Sequence, residues 1–261
     1  MTNYALIGGT GVEYLALAEK RALAIDTPYG PVSVEVGYLG NVELIFMSRH
    51  GHSHAIPPHL VNYRANIWAL HKLGVKKILA TAAVGSLSAK FCLGDLVLLD
   101  QFLDFTKSRT QTFYEGGAQG VLHVDMTEPY CRTVRQAVMQ AAQELETDVK
   151  NGATYVCTEG PRFETPAEIK MYQLLGGEVV GMTTVPEVVL ARELGMCYAS
   201  VGMVTNEAAG IAAHPLTHAE VIDSMKLMGK TVAKVLEKTF SILNPEQTCL
   251  CRLANAELGK F

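Results

Sequence analysis

The sequence has no excess of positive charge, no long apolar run and no basic leader, and each absence removes a class of function. Its 261 residues carry a formal net charge of −4, which gives no broad pull towards nucleic acid or an acidic membrane surface. No stretch reaches the length of a transmembrane helix, and the opening Met1–Gly11 lacks the charged and apolar regions of a secretory leader. Internal repeats, low-complexity tracts and a recognisable linker are also missing. Gly8-Gly9-Thr10-Gly11 falls short of the G-x-G-x-x-G run of a dinucleotide-binding oxidoreductase, and the acid nearest the required spacing, Asp26, sits in a turn. The expectation is a soluble, cytoplasmic protein with small-molecule ligands and neither nucleic acid nor membrane as partner.

What is present suits a filled core. Apolar residues make up 49% of the chain and charged residues 18%, a balance that argues against disorder. The length suits a single α/β domain over residues 1–244, followed by a tail, 245–261, beyond Asn244-Pro245. The six cysteines are Cys92, Cys131, Cys157, Cys197, Cys249 and Cys251. In a chain of this size they read as reduced, buried thiols. Cys249 and Cys251, one residue apart, leave three readings open: a strained disulfide, a metal site with other ligands, or ordinary thiols.

Along the chain, Tyr4–Ile7 is a short apolar strand running into the glycine turn. Val32–Tyr38 and Val42–Met47 read as a hairpin joined at Leu39-Gly40-Asn41. Leu60, Ile67, Leu70 and Leu73 recur at helical spacing between about 59 and 73, closed by Gly74. Lys77–Ala83 reads as a buried strand ending in the small-residue turn Ala82-Ala83-Val84-Gly85-Ser86. Helical patterns at Pro129–Leu145, Pro166–Leu175, Pro186–Leu194 and Thr217–Phe240 then alternate with strand runs at Ala153–Cys157, Val179–Met182 and Tyr198–Thr205. That alternation predicts an α/β fold with a central mixed, largely parallel sheet flanked by helices. One long polar loop, about 107–120, interrupts it.

In such sheets ligands collect at the carboxyl ends of strands. Gly8–Gly11, Arg49-His50, Ala82–Ser86 and Met182–Thr184 each offer something an oxyanion needs: backbone N–H groups, a hydroxyl or a guanidinium. Each also has a plainer reading, as a tight turn, a surface pair, close strand–helix packing, or a helix cap at Thr183. In Gly160–Thr165, Phe163 could stack on a planar ligand and Glu164 could accept from ring N–H groups; Glu164 could equally be an acid beside a helix N-terminus. Asn206 carries a donor and an acceptor and could read a heterocycle edge, or serve as a turn residue.

Taken in order, IGGTG, SRHGHSH with VNYRANIWAL after it, TAAVGSL, TEGPRFET, GMTTVPEVVLARE and MVTNEAAG resemble the trimeric purine nucleoside phosphorylase and methylthioadenosine phosphorylase family over almost the whole chain. The resemblance implies phosphate held by Thr10, Arg49, His50, the N–H of Ala83 and Thr183, with Ala82 adjoining. It also implies Met182 beneath the ribose and Phe163 against the base. Glu164 and Asn206 match the pair that reads inosine and guanosine; the adenine-handling branch has a small residue at the former and aspartates matching Asn206 and Ala208. Ala208 cannot accept from a 6-amino group, so a 6-oxopurine is expected. His218 matches a histidine that meets the 5′-hydroxyl, and His123 one that leans into the neighbouring subunit, implying a homotrimer or dimer of trimers. The resemblance implies no cofactor and no metal at the site, with inorganic phosphate as co-substrate. SRHGHSH and VNYRANIWAL look more like the methylthioadenosine branch, so phosphorylases of 5′-methylthioinosine or methylthioadenosine remain alternatives. A non-catalytic purine-binding protein is a further one, although it would have little use for the phosphate residues.

Overall fold

A five-residue strand buried along its whole length, Tyr4–Gly8 (β1), begins the sheet. The computed structural model describes residues 2–9, 15, 17–51, 55–211 and 217–256, with only the backbone of His218. The next strands are Ala18–Ile25 (β2), Val32–Leu39 (β3), Val42–Ser48 (β4), Lys77–Ser86 (β5), Leu96–Leu98 (β6) and Gln101–Phe105 (β7). Val149–Asn151 (β8), Thr154–Thr158 (β9), Val179–Gly181 (β10) and Cys197–Glu207 (β11) complete the set. The helices are Tyr63–Lys72 (α1), Arg132–Glu144 (α2), Pro166–Leu174 (α3), Thr184–Glu193 (α4) and His218–Ile242 (α5).

The strands form one sheet in the order β2-β3-β4-β1-β5-β10-β9-β7, with β11 and then β6 and β8 branching from β5. Pairings of β1 with β4 and β5, of β5 with β11, of β9 with β10 and β7, and of β6 with β8 are parallel. The β2-β3-β4 meander, β5·β10 and β6·β11 are antiparallel. The sheet is therefore mixed and largely parallel, as expected. Helices α1 and α4 cover one core, containing Ile67, Leu70, Val185 and Val188, while α2 and α5 cover the other, containing Val134, Val138, Val235 and Phe240.

Three departures from the sequence reading have physical causes. Residues 82–86 are not a turn but the last part of β5, held by parallel pairing to β11 as far as Ser86. The helix expected from 59 begins at Tyr63, where the Asn62 side chain caps it by accepting from Ala65 N–H; Leu60 lies in a separate 3-10 turn and is 65% exposed. Strand β2 carries no apolar alternation: seven of its eight residues are exposed, and pairing to β3 alone holds it extended.

Strand β5 is flanked unevenly along one edge. Its pairing to β1 stops at Ala80 and its pairing to β10 starts at Gly85. Between them that edge of β5 has no strand beside it among the described residues, and its backbone faces a cleft. At the opposite end, buried Lys77 donates from Nζ to the carbonyls of Asn244 and Gln247, tying residues after α5 to the sheet.

Candidate active site

The cleft at the split edge of β5 holds a cavity of about 310 Å³, lined among others by Arg49, His50, Ala82, Ala83, Phe163, Glu164, Met182, Thr183, Asn206 and Ala208. Ten positions singled out from scattered motifs thus share one space. Thr10 lies outside the described residues. His218 opens α5, whose Val221 lines the cavity one turn later. His123 is exposed and does not line it.

One wall is basic and built from the core. Arg49 comes directly after β4 and is 2% exposed. Its Nε and Nη2 donate to the two oxygens of Glu187 in α4 at 2.5 and 2.9 Å, and its Nη1 donates to the Thr81 carbonyl at 2.9 Å. Tyr198 adds a hydrogen bond to Glu187 Oε2 at 2.7 Å. Burial works against the Arg49 charge, but the Glu187 carboxylate outweighs it and holds the guanidinium above its usual range. The plainer reading of Arg49-His50 as a surface pair is therefore excluded. Close approach is possible because residue 9 is glycine: a Cβ there would meet Arg49 Nη1 at 2.9 Å. His50 Nδ1 faces the Ile56 carbonyl at 2.8 Å, which fixes the proton on that nitrogen in the neutral ring.

Backbone alternation completes this wall. The Thr81 carbonyl points to Arg49 and Gly85 pairs with β10, so the odd-numbered residues of this stretch point their N–H and C=O groups away from β11. Ala83 N–H therefore points into the unpaired cleft. Thr183 occupies the N-cap position of α4 yet makes no side-chain capping bond, which removes its plainer reading as a cap. Its backbone N–H instead donates to the Tyr155 hydroxyl at 3.0 Å.

The facing wall is an acid and an amide. Glu164 precedes α3 and is 9% exposed. Capping of α3 is done by Thr165 and Glu168 in a reciprocal box, so Glu164 is released from that duty. It turns inward, where Thr158 Oγ1 donates to its Oε1 at 2.6 Å. Burial raises its pKa, against the lowering effect of that bond. Asn206 sits where the β5·β11 register slips between Val204 and Asn206, and such a bulge re-aims side chains at a sheet end. Its Oδ1 accepts from Thr205 Oγ1 and its Nδ2 donates to the Glu207 carbonyl, both at 2.9 Å. A Cβ on Gly85 would lie 2.9 Å from Nδ2, so glycine there makes room for the amide. Ala208 is buried with Tyr172 and Ile169 beneath this wall.

The sequence reading missed the residues that hold these groups: Glu187, Tyr198, Tyr155, Thr158 and Arg109. Glu187 could have been found, because an acid within the apolar run VPEVVLA must be paired if that helix is buried. Arg109 comes from the long polar loop. It donates to the carbonyls of Thr158, Glu159 and Val185 and stacks on the Tyr63 ring at 5.2 Å, joining β9, α4 and α1 behind the cavity.

A fixed cation, a free backbone N–H and a hydroxyl share one cavity with an acid and an amide. Such a set of donors and acceptors suits an oxyanion beside a second, hydrogen-bonding ligand. The chain belongs to the phosphorylase superfamily, whose family model matches residues 3–241. It is 49% identical to the 6-oxopurine nucleoside phosphorylase of Pyrococcus furiosus over 257 residues, covering 97% of each chain. It is 48% identical to a probable S-methyl-5′-thioinosine phosphorylase of Methanopyrus kandleri, covering 97% of this chain and 98% of that one. Among solved structures, the methylthioadenosine phosphorylase of Schistosoma mansoni in complex with adenine superposes with a TM-score of 0.91 at 34% identity, covering 99% of this chain and 97% of the other.

Proposed function

We propose that the protein catalyses the phosphorolysis of 6-oxopurine nucleosides, inosine and guanosine, to the free base and ribose 1-phosphate, as a cytoplasmic pentosyltransferase of purine salvage. The observation that carries this reading is the meeting of two sets of residues in one cavity: Arg49, His50, Ala83 and Thr183, and with them Glu164 and Asn206. Ala208, without a carboxylate, supports a 6-oxo rather than a 6-amino base.

Phosphate lies beneath C1′ of the ribose, held by Arg49, His50, Thr10, Thr183 and the Ala83 N–H, with Ala82 alongside. The C1′–N9 bond breaks with its electron pair moving to the purine, a C1′–O bond to phosphate forms in its place, and the proton that hydrogen phosphate gives up on becoming the ester balances the one the free base gains. The ribose is oxocarbenium-like in between, and the anion beneath it stabilises that charge. Asn206 donates to N7 or O6 as negative charge builds on the leaving base. Glu164 accepts from N1–H, Phe163 lies against the base and Met182 beneath the ribose. The residues act by position and electrostatics, with no covalent enzyme intermediate, so the scheme calls on no metal or organic cofactor at this site. His218 meets the 5′-hydroxyl, and His123 reaches a neighbouring subunit's site in a homotrimer or dimer of trimers.

A 5′-methylthioinosine substrate is the second reading, supported by the thioinosine name of the 48%-identical relative; it leaves the base assignment unchanged. The deciding experiment is phosphate-dependent release of base from inosine, guanosine, adenosine, methylthioinosine and methylthioadenosine, side by side. Inosine and guanosine should be fastest. Adenosine as the best substrate would overturn the assignments of Glu164 and Asn206.

A further inference from the structure

Four of the six cysteines, distant in sequence, meet at one point away from the cavity. Cys131 precedes α2, Cys197 opens β11, and Cys249 and Cys251 come after α5. Their sulfur atoms all lie within 4.8 Å of one another. All four are free thiols; Cys131, Cys197 and Cys251 are buried and Cys249 is half-buried. By contrast Cys92 is exposed, against the expectation of uniformly buried thiols.

The local chain explains the pair at the end. Cys249 is extended, with φ −144° and ψ 172°. It is the N-cap of a 3-10 turn, Leu250–Leu253, in which Cys251 is 5% exposed and Leu250 is 75% exposed, so Cys251 packs inward beside Cys249. The sulfur spacings are longer than a bond, and the closest pair needs to open by less than about an ångström to surround a shared ion. Cys131 and Cys249 are 3.8 Å apart and Cys197 and Cys249 are 3.1 Å apart. Four sulfurs around a zinc ion at Zn–S of about 2.3 Å would be about 3.8 Å from each other, whereas a disulfide requires about 2.05 Å. Arg192, 7% exposed, donates from Nη1 to Cys251 Sγ at 3.7 Å and is itself held by the Asp125 carbonyl. A buried cation beside the cluster favours thiolates over thiols.

We propose that Cys131, Cys197, Cys249 and Cys251 form a tetrahedral four-thiolate site for a structural zinc ion, which clips the C-terminal segment to the start of β11 and to α2. The donor set contains only sulfur, the chemistry of closed structural zinc sites. Binding releases four thiol protons and forms four Zn–S bonds, with no change of oxidation state. The resulting double negative charge is partly offset by Arg192. In a reducing compartment clustered thiols hold a metal more readily than they form disulfides. The Lys77 bonds to Asn244 and Gln247 steer the same segment to the cluster. Cys197 and Asn206 stand at opposite ends of β11, so the clip is structural and separate from the cavity.

The full-length chain, expressed with zinc in the medium and purified without chelator, should carry close to one zinc per chain by elemental analysis. A mercurial titrating four thiols should release it. Replacement by cobalt(II) should give the sulfur-to-metal charge-transfer and visible bands of a tetrahedral thiolate site. The double variant Cys249→Ser/Cys251→Ser should hold no metal and melt at lower temperature, while Cys92→Ser keeps its full complement. Should the double variant fail to fold, the cobalt spectrum of the unmodified chain decides. Zinc-free protein whose intact mass reports two disulfides would overturn the proposal, as would four reduced thiols that leave added cobalt unbound.

Discussion

The two walls of the cavity are held in different ways. Arg49 is locked by three hydrogen bonds to Glu187 and the Thr81 carbonyl, and both members of the ion pair have side chains only 1% exposed. Asn206, past the register shift at the end of β11, is held by its immediate neighbours Thr205 and Glu207. The wall proposed to hold phosphate is thus part of the hydrophobic core and inseparable from folding, whereas Asn206, proposed to read the base, is set on the sheet's rim. Substitutions on the rim can change which base is read without dismantling the chain. Substitutions behind the anion wall cannot.

The harshest way to break that contrast is Glu187→Ala. It leaves the Arg49 charge buried without its partner, a loss of about 3–5 kcal/mol in stability, and it frees the guanidinium to leave its position. Denaturant unfolding should show the drop and phosphorolysis should fall with it. A variant of unchanged stability would mean that the ion pair is not the wall's foundation. Asn206→Ala tests the other side: turnover on inosine should fall about 10²–10³-fold if the amide behaves as a lost oxyanion donor, while the melting temperature stays nearly constant. A large stability loss there would erase the distinction between core-built and rim-built walls.

Glu164 lies between these extremes, buried but outside the helix it precedes. Glu164→Gln removes a charged acceptor, worth about 1.5–3 kcal/mol, so inosine should lose about 10- to 100-fold in kcat/KM while slow adenosine turnover changes less. Burial raises this carboxyl's pKa, so the protonated form persists to higher pH than for an ordinary glutamate. On inosine, kcat/KM should fall as pH drops through that raised value, and the Gln variant should lack this acid limb. Stability has the opposite sign: the folded chain holds more protons than the unfolded one between the two pKa values, so Glu164's contribution declines as pH rises through that window. A limb that persists in the Gln variant would assign it to another group.

How far the sequence led obeys the same division. Strands such as β1 and β5 and helices such as α3 and α5 announce themselves by apolar runs, proline starts and capping residues, and their boundaries shift by only a few residues. Strand β2, whose only large apolar residues are Leu23 and Ile25, carries no such signal, because its extended form is imposed by pairing to β3. Likewise the motifs name the groups that line the cavity: Arg49, Thr183 and Asn206 stand at or just past strand ends, and Glu164 stands before a helix. Of the groups behind them only Glu187, an acid in an apolar run, leaves a local trace. Tyr155 and Tyr198 are simply aromatic positions in buried strands until their hydroxyls are seen to meet Thr183 N–H and Glu187. The split edge of β5, which turns Ala83 into a donor, exists only once β1, β10 and β11 are assembled.

Tyr155 offers the finest test, because it holds Thr183 without lining the cavity itself. Its hydroxyl accepts from Thr183 N–H, and residue 181 is glycine where a Cβ would lie 2.5 Å from that hydroxyl. Burial pushes the phenol well above its ordinary pKa, so it remains a neutral hydroxyl throughout the working pH range. Tyr155→Phe keeps the ring in the core and deletes only the acceptor, at a cost of about 0.5–1.5 kcal/mol. The loosened Thr183 backbone should raise KM for phosphate severalfold while KM for inosine and the pH profile stay in place. If KM for inosine rises instead, the hydroxyl supports the base wall through β9, and the two walls are mechanically one.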